Sequence, residues 1–157
     1  MTDLLYFQQN ESFGLTERYL FNLARGVDRS NYDVHMMFPN VAELRQFESL
    51  ASEAVRLHSM PTELASSSIL GIVPRLLLTF RKLKPDIIHF NDPAVAGMLT
   101  ARAQRHTRRV ITHHTPELNR RYGWSGKWLE RQAFGGHPFI IFTSENDRRT
   151  GIERDGI

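Results

Sequence analysis

Three short polar segments of this 157-residue chain hold residue types that bind ligands or transfer groups. They are Ser12–Arg18, which contains Gly14, then Asn91–Asp92, and then Thr112–Glu117, which contains His114. A glycine at the start of a helix lets backbone N–H groups approach a phosphate. A histidine at the end of a strand can donate to a sugar hydroxyl or an anionic oxygen. These segments are therefore candidate binding or catalytic loops.

The secondary structure predicted around these segments puts all three at the ends of strands. Short apolar runs predict strands at Asp3–Gln8, Asp86–Phe90 and Val110–Thr112. After the first two of these strands, apolar residues recur at helical spacing. Ligands in an open α/β sheet bind beyond the carboxyl ends of the strands. We therefore expect the three segments to lie at one edge of a sheet.

Each segment also has a purely structural explanation. The pair Asp92–Pro93 is typical of an N-cap followed by the first helical residue, so a cap alone accounts for Asp92, with a helix to about His106. A tight turn accounts for Gly14, and a hydrogen bond to the backbone accounts for His114. Since a cap needs only one polar side chain, Asn91 is the residue that favours a ligand site.

The rest of the chain continues the alternation of strands and helices. Asp33–Phe38 and Pro138–Thr143 are predicted to be buried strands, and Ile69–Leu83 is predicted to be a helix. On the first helix, the apolar spacing places Leu15 on the buried side. This alternation predicts the α/β class, as a doubly wound parallel sheet flanked by helices, with right-handed crossovers. No linker or repeat interrupts residues 1–157, so we expect one domain.

The charge distribution points to an anionic partner or to solvated helix faces. The formal net charge is +3, from 20 basic and 17 acidic residues, and much of the excess lies in Arg75–Lys84 and Arg102–Arg109. Such clusters suit a phosphorylated ligand, an anionic membrane or nucleic acid. Basic and aromatic residues also mix at Arg120–Trp124, but no nucleic-acid-binding motif accompanies them, so we expect no nucleic-acid partner.

Several kinds of site and location are disfavoured by the sequence. There is no cysteine, hence no disulfide and no thiolate metal site, which is compatible with a reducing cytoplasm. The spacing around His113–His114 matches no zinc pattern, so no metal is expected. The N-terminus has no signal-peptide features, and the apolar run Ile69–Phe80 is shorter than the ~20 residues of a transmembrane helix. We expect a cytoplasmic protein.

The three loops, in this order and on this strand–helix framework, resemble the N-terminal half of retaining glycosyltransferases of the GT-B fold, family 4. The resemblance extends over essentially the whole chain. Each matching motif is short, but the ordered set at family-like spacing is fairly specific. The matching segments are Gly14–Arg18, Asn22–Gly26, Asp33–His35, Lys84–His89, Thr112–Thr115 and Phe142–Glu145.

This resemblance implies that the chain is one half of a GT-B fold, in which two Rossmann-like domains face each other across a cleft. The N-terminal domain mainly binds the acceptor, which is a saccharide, a lipid or a small molecule. The C-terminal domain holds most of the nucleotide-sugar donor. Residues 1–157 would then be the acceptor-side domain, and the C-terminal donor-binding domain would be absent from this chain. We expect the chain alone to be inactive, and the enzyme to need no metal or other cofactor.

The resemblance also implies roles for individual residues of the loops. His114 is expected to contact the transferred sugar, and it is the predicted catalytic residue. Gly14 is expected to approach the donor diphosphate, while Asn91 and Asp92 are expected to line the acceptor side of the cleft. Thr115 completes the predicted substrate-binding residues. The family often has a second glycine directly after the first, where this chain has a leucine.

Two alternatives stay open. Lipid-acceptor members of the family dock on anionic membranes through a basic helix, and residues 69–84 form a basic amphipathic segment of this kind. Core packing explains its apolar face equally well, so the expected location is the cytoplasm, with or without peripheral contact at the inner face of the membrane. The competing function is a non-catalytic α/β module that binds a phosphorylated or saccharide ligand or a partner protein.

Overall fold

The computed structural model describes residues 1–60, 69–92, 94–114, 124–136, 138–150 and 152. The strands are β1 (Thr2–Phe7), β2 (Tyr32–Pro39), β3 (Val55–Met60), β4 (Ile87–Asn91), β5 (Arg108–His113) and β6 (Phe139–Phe142). The α-helices are α1 (Leu15–Gly26), α2 (Ile69–Leu83), α3 (Val95–Arg102), α4 (Trp124–Phe134) and α5 (Glu145–Thr150), and a 3₁₀ helix spans Ala42–Glu53. Within these ranges, no helix has both the length and the apolar character needed to cross a membrane.

The six strands form one parallel sheet in the order β3-β2-β1-β4-β5-β6. Strand β1 lies inside it, with Leu5 in register with His35 of β2 on one side and with Ile88 of β4 on the other. The chain builds outward from β1 to β3 and then returns to add β4 beside β1. The winding therefore reverses between β1 and β4, where open α/β sheets bind ligands. The predicted doubly wound parallel sheet is confirmed.

Apolar clusters cover both faces of the sheet, as the alternation along β1 shows. Leu5 and Phe7 belong to one cluster, to which α2 and α3 contribute residues such as Phe80. Leu4 and Tyr6 belong to another, to which α1 and the 3₁₀ helix contribute. Because side chains alternate between the two faces of a strand, β1 must be apolar at successive positions to serve both clusters.

Three details of the sequence prediction are wrong, although the predicted helix at Ile69–Leu83 is confirmed as α2. The last strand is not buried, because β6 lies at the edge of the sheet and Phe139 is 67% exposed. Leu15 is 83% exposed, since Glu17 rather than an apolar side chain anchors the first turn of α1. Helix α3 ends before the predicted end because the Gln104 N–H turns back to the Ala101 C=O at 3.0 Å.

Gly97 allows α3 to approach the sheet closely. It lies against the rings of Phe7 and Phe90, whose centroids are 5.3 Å apart. A Cβ atom at this position would lie 2.9 Å from Cε1 of Phe90 and 3.0 Å from Cε1 of Phe7. Both distances are well below the usual carbon–carbon contact of about 3.5–4.0 Å. The seating of α3 on β1 and β4 therefore requires the absence of a side chain at Gly97.

We expect Gly97→Ala to lower the free energy of unfolding by about 1–2 kcal/mol, because overpacking outweighs the gain in helix propensity. Gly26→Ala is the control, since Gly26 is also helical but has no described atom outside its own helix within 4 Å of its Cβ position. This control should gain about 0.5–1 kcal/mol. Urea unfolding measures both variants, and equal effects would contradict the packing argument.

Candidate functional site

Strands β1, β4 and β5 end side by side where the winding reverses. Gln8 follows β1, Asn91 ends β4 in register with Thr112 of β5, and His114 follows β5. Gln8 is 0% exposed and Asn91 is 2% exposed. Buried polar side chains need hydrogen-bond partners, and these residues find them in one another. The expectation that the loops meet at one edge of the sheet is confirmed.

Asn91 links the ends of the three strands. Its Nδ2 donates to Oε1 of Gln8 at 2.9 Å and to the backbone C=O of Thr16 at 3.1 Å. Its Oδ1 lies 3.0 Å from Nε2 of His114. Two residues predicted for the site, Asn91 and His114, are therefore in direct contact. Thr115, also predicted, lies outside the described residues.

Glu17 holds the first loop together, although the sequence prediction did not include it in the site. Its Oε1 accepts from Nε2 of Gln8 at 2.7 Å and from Nδ2 of Asn10 at 3.1 Å, and its Oε2 accepts the Gly14 N–H at 2.8 Å. Burial by itself raises the pKa of Glu17, but the hydrogen bonds from Asn10 and Gly14 outweigh it, so the pKa lies below its ordinary value. The available sequence signal was the spacing of Gly14 and Glu17, which is that of a capping box.

Gly14 is the N-cap residue of α1. Its backbone is extended, with φ −117° and ψ −151°, a conformation that other residues also adopt. A Cβ atom here would lie 3.3 Å from Oε2 of Glu17, so the small residue serves the close approach of that carboxylate. The expected contact of Gly14 with a donor diphosphate stays a prediction.

Asp92 does not cap helix α3, so the purely structural explanation for this residue is wrong. Its backbone is left-handed, with φ 74°, and Ala94 occupies the N-cap position. The Asp92 carboxylate instead reaches the residue after β5, where its Oδ1 accepts the backbone N–H of His114 at 3.1 Å. Burial raises the pKa of the Asp92 carboxyl, and the hydrogen bond from His114 opposes that shift. Asp92 therefore fixes the backbone of His114.

Aromatic residues line the same end of the sheet. The ring of Tyr19 meets the ring of His114 edge to face, with centroids 5.1 Å apart.

In β4, Nε2 of His89 lies 2.7 Å from Oγ1 of Thr112 in β5. Burial, with a smaller contribution from nearby His114, lowers the pKa of His89 to about 4. His89 is therefore neutral at physiological pH and serves as a hydrogen-bond partner within the sheet.

A second group of polar residues lies at the opposite, amino-terminal edge of the sheet. Asp3, Asp33 and His35 are close enough together to hold a metal ion. Other side chains of the same chain already bind members of this group. Arg56 donates to Asp33 at 2.7 Å, and Nδ1 of His35 lies 2.9 Å from Nε2 of His58. We therefore treat it as a set of ion pairs and hydrogen bonds away from the site.

One protein-family model matches most of the chain. The family model of Glycosyltransferase Family 4 matches residues 16–157. The chain belongs to this family. The matched range includes Asn91, Asp92 and His114. It also includes α1, apart from Leu15, and every later helix and strand. No curated protein matches the chain.

Solved structures share the fold of this family 4 chain at low sequence identity. HepE of Anabaena in complex with UDP matches with a TM-score of 0.64 and 16% identity, over 99% of this chain and 41% of HepE. HepE in complex with UDP and glucose matches with a TM-score of 0.63 and 14% identity, over 98% and 41%. MurG of Acinetobacter baumannii matches with a TM-score of 0.57 and 12% identity, over 90% and 45%. The family 4 chain thus spans less than half the length of these proteins, and its predicted resemblance to a GT-B glycosyltransferase domain is confirmed.

The buried His89 should make the stability of this family 4 domain depend on pH. Its folded pKa of about 4 lies below the unfolded value of 6.5. The unfolded chain therefore takes up the proton first as the pH falls, and stability is lost between these two values. The loss from this residue amounts to about 3 kcal/mol by about pH 4. Urea unfolding of wild type and His89→Gln across this range should show a shallower decline in the variant, whereas parallel declines would contradict the assignment.

Proposed function

We propose that this chain is the acceptor-side, N-terminal domain of a retaining glycosyltransferase that uses a nucleotide sugar. The observation that carries the proposal is the hydrogen-bonded group of Gln8, Asn91 and His114 at the winding reversal of a family 4 domain. The HepE structures with UDP, and with UDP and glucose, support a nucleotide-sugar donor.

In this proposal the chemistry is shared between two domains. The bond between the anomeric carbon of the sugar and the donor diphosphate breaks, a bond to an acceptor oxygen forms, and the acceptor proton passes to the leaving diphosphate. His114 contacts the transferred sugar, while a C-terminal domain supplies most of the groups that stabilise the leaving diphosphate. The reaction needs no metal, and the transferred group is a hexose. Support for a second domain comes from HepE, of which this chain covers 41%.

The acceptor in this proposal is a saccharide, a lipid or a small molecule bound beside Asn91 and Asp92, in a cytoplasmic enzyme. Gly14 approaches the donor diphosphate, and Thr115 is a further substrate-binding residue. A lipid acceptor would call for contact between α2 and a membrane. Core packing accounts for much of the apolar face of α2, including Ile72, Leu76 and Phe80. Leu78 is 68% exposed, so a membrane contact would involve this residue and its basic neighbours.

We expect His114→Ala in the whole protein to lower the rate of sugar transfer by at least about tenfold, because a hydrogen bond to the sugar is lost. The control is His106→Ala, since His106 is exposed and precedes β5 at the opposite edge of the sheet. Release of UDP from a panel of UDP-sugars, with saccharide and lipid acceptors, is the measurement. Equal activity of the two variants would show that His114 takes no part in sugar transfer.

We expect the 157-residue chain alone to show no sugar transfer in the same assay, since in this proposal a second domain binds most of the donor. Adding the whole protein as a positive control establishes that the donor and acceptor are suitable. Robust transfer by the isolated chain would overturn the division into two domains. Binding of a saccharide or of inorganic phosphate by the whole protein, without any transfer, would favour the non-catalytic module instead.

A further inference from the structure

We infer that Glu17, Gln8 and Asn91 are positioning residues that keep the ring proton of His114 on Nε2 and leave Nδ1 for the transferred sugar. The use of His114 by the sugar rests on the proposed function, whereas the position of the proton rests on the hydrogen bonds alone. These bonds link a carboxylate to the histidine ring in series, and in each of them the donor and the acceptor can be assigned.

Glu17 determines which group donates in each of these hydrogen bonds. An ionised carboxylate can only accept hydrogen bonds, so the group of Gln8 that faces Glu17 at 2.7 Å must be its NH₂. The carbonyl oxygen of Gln8 then faces Asn91, and it can only accept. The NH₂ of Asn91 therefore points toward Gln8, in agreement with their distance of 2.9 Å.

A second acceptor independently fixes the orientation of the Asn91 side-chain amide. The backbone C=O of Thr16 lies 3.1 Å from Nδ2 of Asn91, and a carbonyl oxygen there would repel the other end of the amide. Two acceptors on different segments thus demand the same amide orientation. The Asn91 oxygen is left facing Nε2 of His114 at 3.0 Å, and Nε2 must donate because this oxygen cannot.

The ring and backbone of His114 are both held. The Asp92 carboxylate accepts the His114 backbone N–H at 3.1 Å, and Tyr19 packs edge to face against the ring. Gln8 and Asn91 are buried, so water does not compete for their hydrogen bonds. Among the described residues, Nδ1 of His114 has no hydrogen-bond partner. In the neutral ring this nitrogen is an acceptor, which suits a sugar hydroxyl that donates.

The position of the proton is measured by NMR on the [¹⁵N]histidine-labelled chain at a pH where the ring is neutral. We expect a one-bond cross-peak for the Nε2–H of His114, slow to exchange with water and identified by its loss in His114→Ala. Asn91→Leu removes the acceptor and should abolish this protection from exchange.

A ring proton on Nδ1 of His114 in the wild-type spectrum would overturn the inference. Equal protection of Nε2–H in wild type and Asn91→Leu would overturn it as well. In the whole protein, Asn91→Leu should lower kcat by about tenfold. If the NMR result holds but His114→Ala transfers sugar normally, the proposed function fails and the placement of the proton stands.

Discussion

One buried carboxylate governs the arrangement of polar residues at the edge where β1, β4 and β5 end. Glu17 is ionised and 2% exposed, and it accepts hydrogen bonds from Gln8, Asn10 and Gly14. A buried charge is stable only when such donors satisfy it, and removing one partner is strongly destabilising. The first loop therefore closes around Glu17, and the remaining oxygen of Gln8 is turned toward Asn91. The geometry at the end of β4 thus follows from a charge in the first turn of α1.

The core and the site meet without an intervening layer. Phe90 is a fully buried core residue, and the next residue, Asn91, already belongs to the polar group at the strand ends. Because β1 and β4 are covered on both faces, polar side chains are tolerated only where these strands stop or where they find partners. Gly97 adds to this by letting α3 lie directly on the aromatic residues beneath the site. Precise packing therefore supports the positions of the polar residues.

The sequence predicts the fold and the meeting of the loops, because both follow from periodicity and from the rule that parallel strands end at one edge. It does not predict which side chains join there. Gln8 and Asn91 are separated by 83 positions, and nothing local to either one indicates the other. The cap explanation for Asp92 is wrong because Asp followed by Pro is only a local signal, whereas the carboxylate of Asp92 accepts a hydrogen bond from His114, 22 positions away. Leu15 and Phe139 were misplaced because periodicity does not reveal a buried glutamate or the edge of a sheet.

The conformation of Asp92 limits which residues evolution can place there. A left-handed backbone is readily adopted by glycine, asparagine and aspartate. Glycine has no side-chain oxygen to accept the His114 N–H, so only aspartate and asparagine meet both requirements. Asparagine would keep the acceptor and avoid burying a carboxyl group. Two residue types are therefore compatible with this position, and the choice between them decides whether this edge of the sheet carries a titratable acid.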